Sequence, residues 1–152
     1  MEKVKSKITI KISKATIKDI SLIIDIQKRD GFKHAYYLTP KRLKGLFNRG
    51  EIFYIAYLKN EAVAFVALDI EKRVKLHFLS VAEEQRKKGI GTFLMQKIIN
   101  ETKKYKKTII YAYVEEKSPL EKFLIRNKFK KAGYFLNRFG KGRDANILSF
   151  SL

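Results

Sequence analysis

The chain has 152 residues, of which 34 are Lys or Arg and 15 are Asp or Glu, so its formal net charge is +19. We expect residues 1–152 to form a single domain, and the 45% of hydrophobic residues is enough for a core, which excludes a disordered protein. The absence of cysteine excludes disulfides, thiolate metal sites and a cysteine nucleophile, and two histidines are too few for a histidine-rich metal site.

The first half of the sequence predicts one strand, two helices and an antiparallel meander. Residues 1–7 are typical of a frayed basic end, and isoleucines at 8, 10 and 12 alternate with polar residues, which indicates a half-buried strand. Capped helices are expected at 16–29 and 39–50. Three strand-like runs follow at 52–58, 62–70 and 74–81.

The second half predicts helices and strands in alternation. A helix begins at Ile90 and ends in the basic run 103–107, and a buried strand follows at 108–114. A helix is expected at 118–127, and a hairpin is formed by 130–139 and 145–152. The order β-α-α-β-β-β-α-β-α-β-β predicts an α+β or α/β protein, with a mixed sheet and helices on its faces.

Hydropathy and charge limit the location and the partners. No apolar run is longer than seven residues, whereas a membrane-spanning helix needs about 20. We therefore predict a cytoplasmic protein with no membrane partner. The charge favours anionic partners. Nucleic acid is one of them, but the sequence contains no recognised nucleic-acid-binding motif, so only non-specific binding is expected.

A glycine-rich basic segment leads into the helix that begins at Ile90. Gly89 and Gly91 allow close approach to the backbone, and the first N–H groups of a helix have no partner within the helix. Arg86, Lys87 and Lys88 add positive charge beside them. Together these features suit a phosphate or pyrophosphate. The alternative is a helix start with a solvated basic turn.

The spacing Arg86-x-x-Gly89-x-Gly91, entered from a strand that ends in 79–81, resembles the acyl-CoA signature of the GNAT N-acetyltransferase superfamily. The element order matches this family over nearly the whole chain. The resemblance implies a GNAT-like α+β fold, with a mixed, mostly antiparallel seven-stranded sheet and helices on both faces. It also implies acetyl-CoA as the acyl donor, a primary amine as the acceptor, and no metal.

The resemblance assigns a set of cofactor-binding residues: Leu79, Ser80, Val81, Arg86, Lys87, Lys88, Gly89, Ile90, Gly91 and Thr92. The backbone of Leu79 and Val81 would bind the pantetheine arm, and the backbone from Lys87 to Thr92 would bind the pyrophosphate. Transfer would be direct, because the chain has no cysteine to form an acyl-enzyme.

The family's catalytic residues do not carry over. The position of its usual acid, a Tyr in the last long helix, is Leu124 here, and the position of its Asn near the start of that helix is Lys117. The position of its strand-4 Glu is Lys75, and that of a strand-5 Glu is Ala112. These differences leave an alternative function: a weakly active or inactive GNAT-fold protein that binds acyl-CoA, nucleic acid or an acidic partner.

His77 is the best remaining candidate for a catalytic base, because imidazole titrates near neutrality. Glu115 and Glu116, at the end of the buried strand, are weaker candidates, with solvated charges as the alternative. In a regular strand it would share a face with Leu79; the alternative is a histidine that only packs on the sheet. Tyr111 and Tyr113 are candidate acids, with packing as the alternative. The resemblance implies that the loop of Tyr36 and Tyr37 borders the acceptor, which these residues would bind; the alternative is that their rings only anchor the loop. The resemblance also makes a homodimer possible.

Overall fold

The computed structural model describes residues 9–30 and 38–152. The strands over these residues are β1 (Ile10–Lys14), β2 (Ile52–Leu58), β3 (Glu61–Ile70), β4 (Val74–Val81), β5 (Ile109–Glu115), β6 (Lys130–Phe135) and β7 (Ala145–Ser151). The helices are α1 (Ile20–Arg29), α2 (Pro40–Asn48), α3 (Ile90–Lys104) and α4 (Pro119–Arg126).

The strands form one sheet in the order β1-β2-β3-β4-β5-β7-β6. All neighbours are antiparallel except β4 and β5. These two run parallel and pair at only two positions, Val74 with Ile110 and Lys75 with Tyr111. The predicted mixed, mostly antiparallel seven-stranded sheet is confirmed.

The helices cover both faces of the sheet, as predicted. Helices α1 and α2 pack on one face through buried Ile23, Ile26 and Leu43, against ring and aliphatic side chains of β2 and β3. Helices α3 and α4 cover the other face, where Leu94 and Leu124 are fully buried. Burial of apolar side chains on both faces is the main stabilising contribution to such a three-layer arrangement.

Most predicted boundaries agree with the structure to within two residues, and three differences bear on the fold. Strand β1 lies two residues later than expected, at Ile10–Lys14. Thr16 does form a capping box with Asp19, but this box caps a single 3-10 turn. The α-helix begins only at Ile20. Strand β6 ends at Phe135 rather than at residue 139, because residues 136–144 form a longer connection tied together by the carboxylate of Asp144.

Helix α3 has 15 residues and is the longest in the described ranges. No helix of residues 9–30 or 38–152 is both long enough and apolar enough to cross a bilayer.

Candidate active site

Strand β4 has an open edge, because it separates from β5 after Lys75. Near its end, Ala82 donates its N–H to the carbonyl of Val63 at 2.8 Å. Neighbouring residues of an antiparallel strand direct their backbone groups to opposite edges. Ser80 therefore faces β3 like Ala82, whereas the backbone groups of Leu79 and Val81 face the open side toward β5. These two residues offer hydrogen-bonding groups to a ligand that enters between the strands.

A β-bulge interrupts β4 at His77. Ala67 of β3 pairs with Phe78 and Leu68 pairs with Leu76, so His77 has no opposite residue. Such bulges bend a strand and change the direction of side chains, and they are frequent beside active sites.

The bulge corrects the expectation of a regular strand. The ring of His77 stacks on that of Phe78, with centroids 4.1 Å apart. Phe78 packs with the core under α1 and α2, whereas Leu79 packs with the core under α3 and α4. His77 therefore shares a face with Phe78 and not with Leu79.

The segment from residue 86 to residue 92, here named the glycine loop, leads from a 3-10 turn (Glu83–Gln85) into α3. Lys87 and Gly89 have positive φ angles of 64° and 80°. Among the described residues, no hydrogen-bond acceptor is found for the backbone N–H groups from Lys87 to Thr92. Unpaired N–H groups at such a turn and at a helix start form an anion-binding concavity.

Packing against α4 favours glycine at residue 91. A Cβ atom at Gly91 would lie 2.8 Å from Cε2 of Phe123, on α4. The absence of a side chain lets the start of α3 and the ring of Phe123 meet. A substitution at Gly91 would therefore disturb this contact in addition to any bound ligand.

Two adjacent residues at the end of α1 hold the glycine loop in place. Arg29 forms ion pairs with Glu84 and with Glu61, the latter at 2.8 Å. Asp30 accepts hydrogen bonds from the guanidinium of Arg86 and from the hydroxyl of Ser80. The side chains of the predicted cofactor residues Arg86 and Ser80 thus contact Asp30, and they fix the entry to the glycine loop against the end of α1.

The open edge and the glycine loop border one cleft of about 600 Å³, a size typical of small-molecule sites. Nine of the ten predicted cofactor-binding residues line it. The exception, Lys88, is exposed and donates to the side chain of Gln85 at 3.0 Å. The cleft is also lined by His77, Phe78, Tyr113, Phe123 and Phe139.

Sequence reasoning missed the partner of His77. Nδ1 of His77 lies 2.5 Å from Oε1 of Glu51, the residue before β2. The carboxylate is nearly inaccessible, with a side-chain exposure of 3%, and the imidazole is 17% exposed. An ionised carboxylate can only accept hydrogen bonds. A neutral imidazole that donates to this carboxylate carries its proton on Nδ1, and its acceptor atom is then Nε2.

Tyr113 on β5 brings a phenol to the cleft, whereas Tyr111 does not line it. Cations lie over the Tyr113 ring: Nζ of Lys75 is 5.1 Å from its centroid, and the guanidinium carbon of Arg138 is 5.5 Å away. Burial, followed by the charge of Arg138, lowers the pKa of Lys75. Burial also raises the pKa of Tyr111, which favours its neutral form.

The other family positions provide no catalytic group. Leu124 is 0% exposed and points into the core beneath α4, away from the cleft. Ala112 is buried in the sheet, and Lys117 is exposed before α4. Helix α4 contains no tyrosine, so no phenol reaches the cleft from that helix.

The predicted acceptor-binding residues Tyr36 and Tyr37 lie outside the described residues. Two contacts of the cleft were missed by the sequence analysis: Glu51 stands alone before an apolar strand, and Asp30 directly follows the predicted helix 16–29. A carboxylate at a helix C-terminus opposes the helix dipole, and this mismatch is the signal that would have pointed to a partner for Asp30. Over residues 9–30 and 38–152, no three His, Asp or Glu side chains are grouped as metal ligands.

Comparison with known proteins gives a consistent result. Residues 20–121 match the model of the acetyltransferase (GNAT) family. Among solved structures, Ard1 from Thermoplasma volcanium has a TM-score of 0.83 at 16% identity, over 94% of this chain and 97% of that chain. No curated protein matches the sequence.

Two further solved structures are similar to the chain. The ribosomal-protein-S18-alanine N-acetyltransferase of Escherichia coli has a TM-score of 0.81 at 17% identity, and the match covers 94% of each chain. The PaiA N-acetyltransferase of Thermoplasma acidophilum, solved in complex with coenzyme A, has a TM-score of 0.77 at 19% identity over 95% of this chain and 99% of that chain. At these identities the likeness establishes the shared fold.

Proposed function

Because the chain belongs to the GNAT acetyltransferase family, we propose that it is an acetyl-CoA-dependent N-acetyltransferase that moves the acetyl group directly to a primary amine. One observation carries the proposal. The open edge of β4 and the N–H groups of the glycine loop border the same cleft, which His77 also lines. An extended arm that ends in a pyrophosphate fits this combination of a strand edge and an anion site.

In this proposal the backbone holds the acyl donor. Leu79 and Val81 bind the pantetheine arm at the open edge of β4, and the N–H groups from Lys87 to Thr92 bind the pyrophosphate. The N–H of Val81 also donates to the thioester oxygen and stabilises the negative charge that develops there. A relative of the same fold was solved with coenzyme A, which supports this ligand class.

The acceptor amine lies on the His77 side of the cleft. Its nitrogen forms a bond to the thioester carbon, the carbon–sulfur bond breaks, and the amine proton passes to Nε2 of His77. The sulfur leaves as a thiolate, which is a weak enough base to depart without a donor on α4; ordinary thiols have a pKa of about 8.5. Alignment of amine and thioester supplies much of the acceleration.

The test is release of free coenzyme A from acetyl-CoA over a panel of primary amines: peptide α-amines, lysine side chains, polyamines, aminoglycosides and small amino compounds. We expect at least one amine to give release above the rate without acceptor. Mass spectrometry of the acceptor should show one added acetyl group. No release with any amine would overturn the proposal of an enzyme.

The buried Leu124 favours a second candidate, a protein of this fold that binds acyl-CoA with little turnover. The two functions differ in one paired measurement. A binder gains thermal stability from acetyl-CoA, because a ligand of the folded state alone shifts the unfolding equilibrium, but it releases no coenzyme A. If the charge serves nucleic acid instead, binding should weaken steeply with salt.

A further inference from the structure

We propose that Glu51 is a positioning residue, which holds His77 as the Nδ1–H tautomer so that Nε2 can take the proton of the acceptor amine. The inference rests on the proposed function, because it assigns a role within the same reaction. Glu51 does not line the cleft and acts only through His77.

The first support is the burial of an acid. Glu51 has only 6% of its surface exposed, although glutamate is almost never buried without a partner, because desolvation of its charge is costly. The contact with Nδ1 of His77 at 2.5 Å supplies that partner. On the surface, water would solvate the same carboxylate without a desolvation cost. The burial of Glu51 beneath a residue that lines the cleft therefore favours a role for Glu51 in that cleft.

The second support is the rigidity of the Glu51 backbone. Helix α2 ends in a Schellman motif, in which Gly50 has a φ of 88° and donates to the carbonyl of Phe47, while Glu51 donates to the carbonyl of Leu46. Strand β2 begins at the next residue, Ile52. The backbone of Glu51 is therefore fixed on one side by the capped end of α2 and on the other side by strand β2.

The third support is the fixed orientation of the imidazole. His77 occupies the bulge of β4 and stacks on Phe78, and the guanidinium of Arg42 lies 5.5 Å from the centre of the Phe78 ring. A ring held by stacking on one side and by a carboxylate at Nδ1 has a single acceptor atom, Nε2. A carboxylate that fixes the tautomer and orientation of a catalytic histidine is a general device in proton transfer.

The first measurement needs no acceptor. In protein labelled with ¹⁵N-histidine, the two histidines of the chain give separate imidazole signals, and His77→Ala assigns them. Above pH 8, where imidazole is mostly neutral, we expect His77 to be protonated at Nδ1. Glu51→Gln should reduce this preference. An Nε2–H tautomer in the parent, or no change in Glu51→Gln, would overturn the inference.

The second measurement uses the best acceptor from the amine panel. We expect Glu51→Gln to lower kcat by about 10-fold to 10²-fold, the loss known for partners that orient metal-binding histidines, with KM for acetyl-CoA unchanged. In a His77→Ala background, Glu51→Gln should cause no further loss of kcat, because the two residues act as one unit. An equal loss in both backgrounds would contradict the role.

Glu101→Gln is the matched control. Glu101 is as buried as Glu51, with 5% exposure, but it lies on α3, outside the cleft, with Nζ of Lys97 at 3.2 Å. Both substitutions are expected to lower the melting temperature, and only Glu51→Gln is expected to change kcat. If no amine supports release of coenzyme A, the proposed function fails, while the tautomer of His77 still decides the role of Glu51.

Discussion

The two walls of the cleft are built from different parts of the chain. The backbone wall, residues 79–81 and 87–92, offers main-chain groups at a strand edge and a helix start. The side-chain wall consists of His77, Phe78, Tyr113 and Phe139, with Glu51 behind His77. Main-chain groups bind any ligand of the right shape and charge, whereas in the proposed reaction the side chains would select the acceptor and take its proton. The donor side of the proposed reaction is therefore generic, and the acceptor side is particular to this protein.

The largest effect is expected from a substitution that changes only the side-chain wall. We expect His77→Ala to lower kcat by about 10²–10⁴-fold, the usual contribution of a general base, and to leave the acetyl-CoA-induced rise in melting temperature intact. Steady-state release of coenzyme A and thermal unfolding measure the two effects. Added imidazole should restore part of the rate. A parent-like kcat would show that His77 only packs on Phe78.

The next largest effect is expected from a substitution that places a negative charge at the backbone wall and leaves the side-chain wall unchanged. Thr92, in the first turn of α3, is exposed and lines the cleft. A carboxylate about 5 Å from a phosphate costs roughly 3 kcal/mol at an effective dielectric constant of 20, so Thr92→Glu should weaken acetyl-CoA binding by about 10²-fold. Acidic residues at a helix start are favourable, so the unliganded melting temperature should not fall.

Thr92→Gln, which has nearly the same size without the charge, is the control for this substitution. Isothermal titration calorimetry of the parent and both variants gives the affinities. If Thr92→Glu binds acetyl-CoA as tightly as Thr92→Gln does, the phosphates do not approach the start of α3.

The smallest effect is expected on helix α4, where a substitution tests whether a phenol can act in the cleft. The family position of a catalytic tyrosine is Leu124, which is fully buried. Leu124→Tyr should therefore overpack the core and lower the free energy of unfolding by about 1–3 kcal/mol, without a gain in kcat. The neighbouring Ile125 is 53% exposed, so Ile125→Tyr should be nearly neutral in denaturant unfolding. A faster Leu124→Tyr enzyme would show that a phenol at residue 124 reaches the sulfur.

The backbone wall was predictable from sequence because its signals are local. The glycines, the basic residues and the helix start fall within the seven residues of the glycine loop, and the order of the elements places that loop after a strand.

The side-chain wall was not predictable in the same way. Glu51 and His77 are separated by 26 residues, and Asp30 and Arg86 by 56. No single segment contains either pair. The bulge at His77 has no Gly or Pro to mark it and depends on how β3 pairs with β4. Regular alternation therefore predicted the wrong face for His77, although it identified His77 as a residue of β4.

The short parallel contact between β4 and β5 also bears on how the molecule opens. Strands β1–β4 and strands β5–β7 share only two backbone pairs, whereas β5 and β7 pair along seven positions. Proteins open in contiguous cooperative units with different opening free energies, so we expect these two groups of strands to exchange their amide hydrogens at different rates. A ligand in the cleft contacts both groups of strands, because residues 79–81 of β4 and 113–115 of β5 line it, and it would therefore tie these units to each other. Native-state hydrogen exchange would detect this coupling as slower opening of β5–β7, including residues that do not contact the ligand.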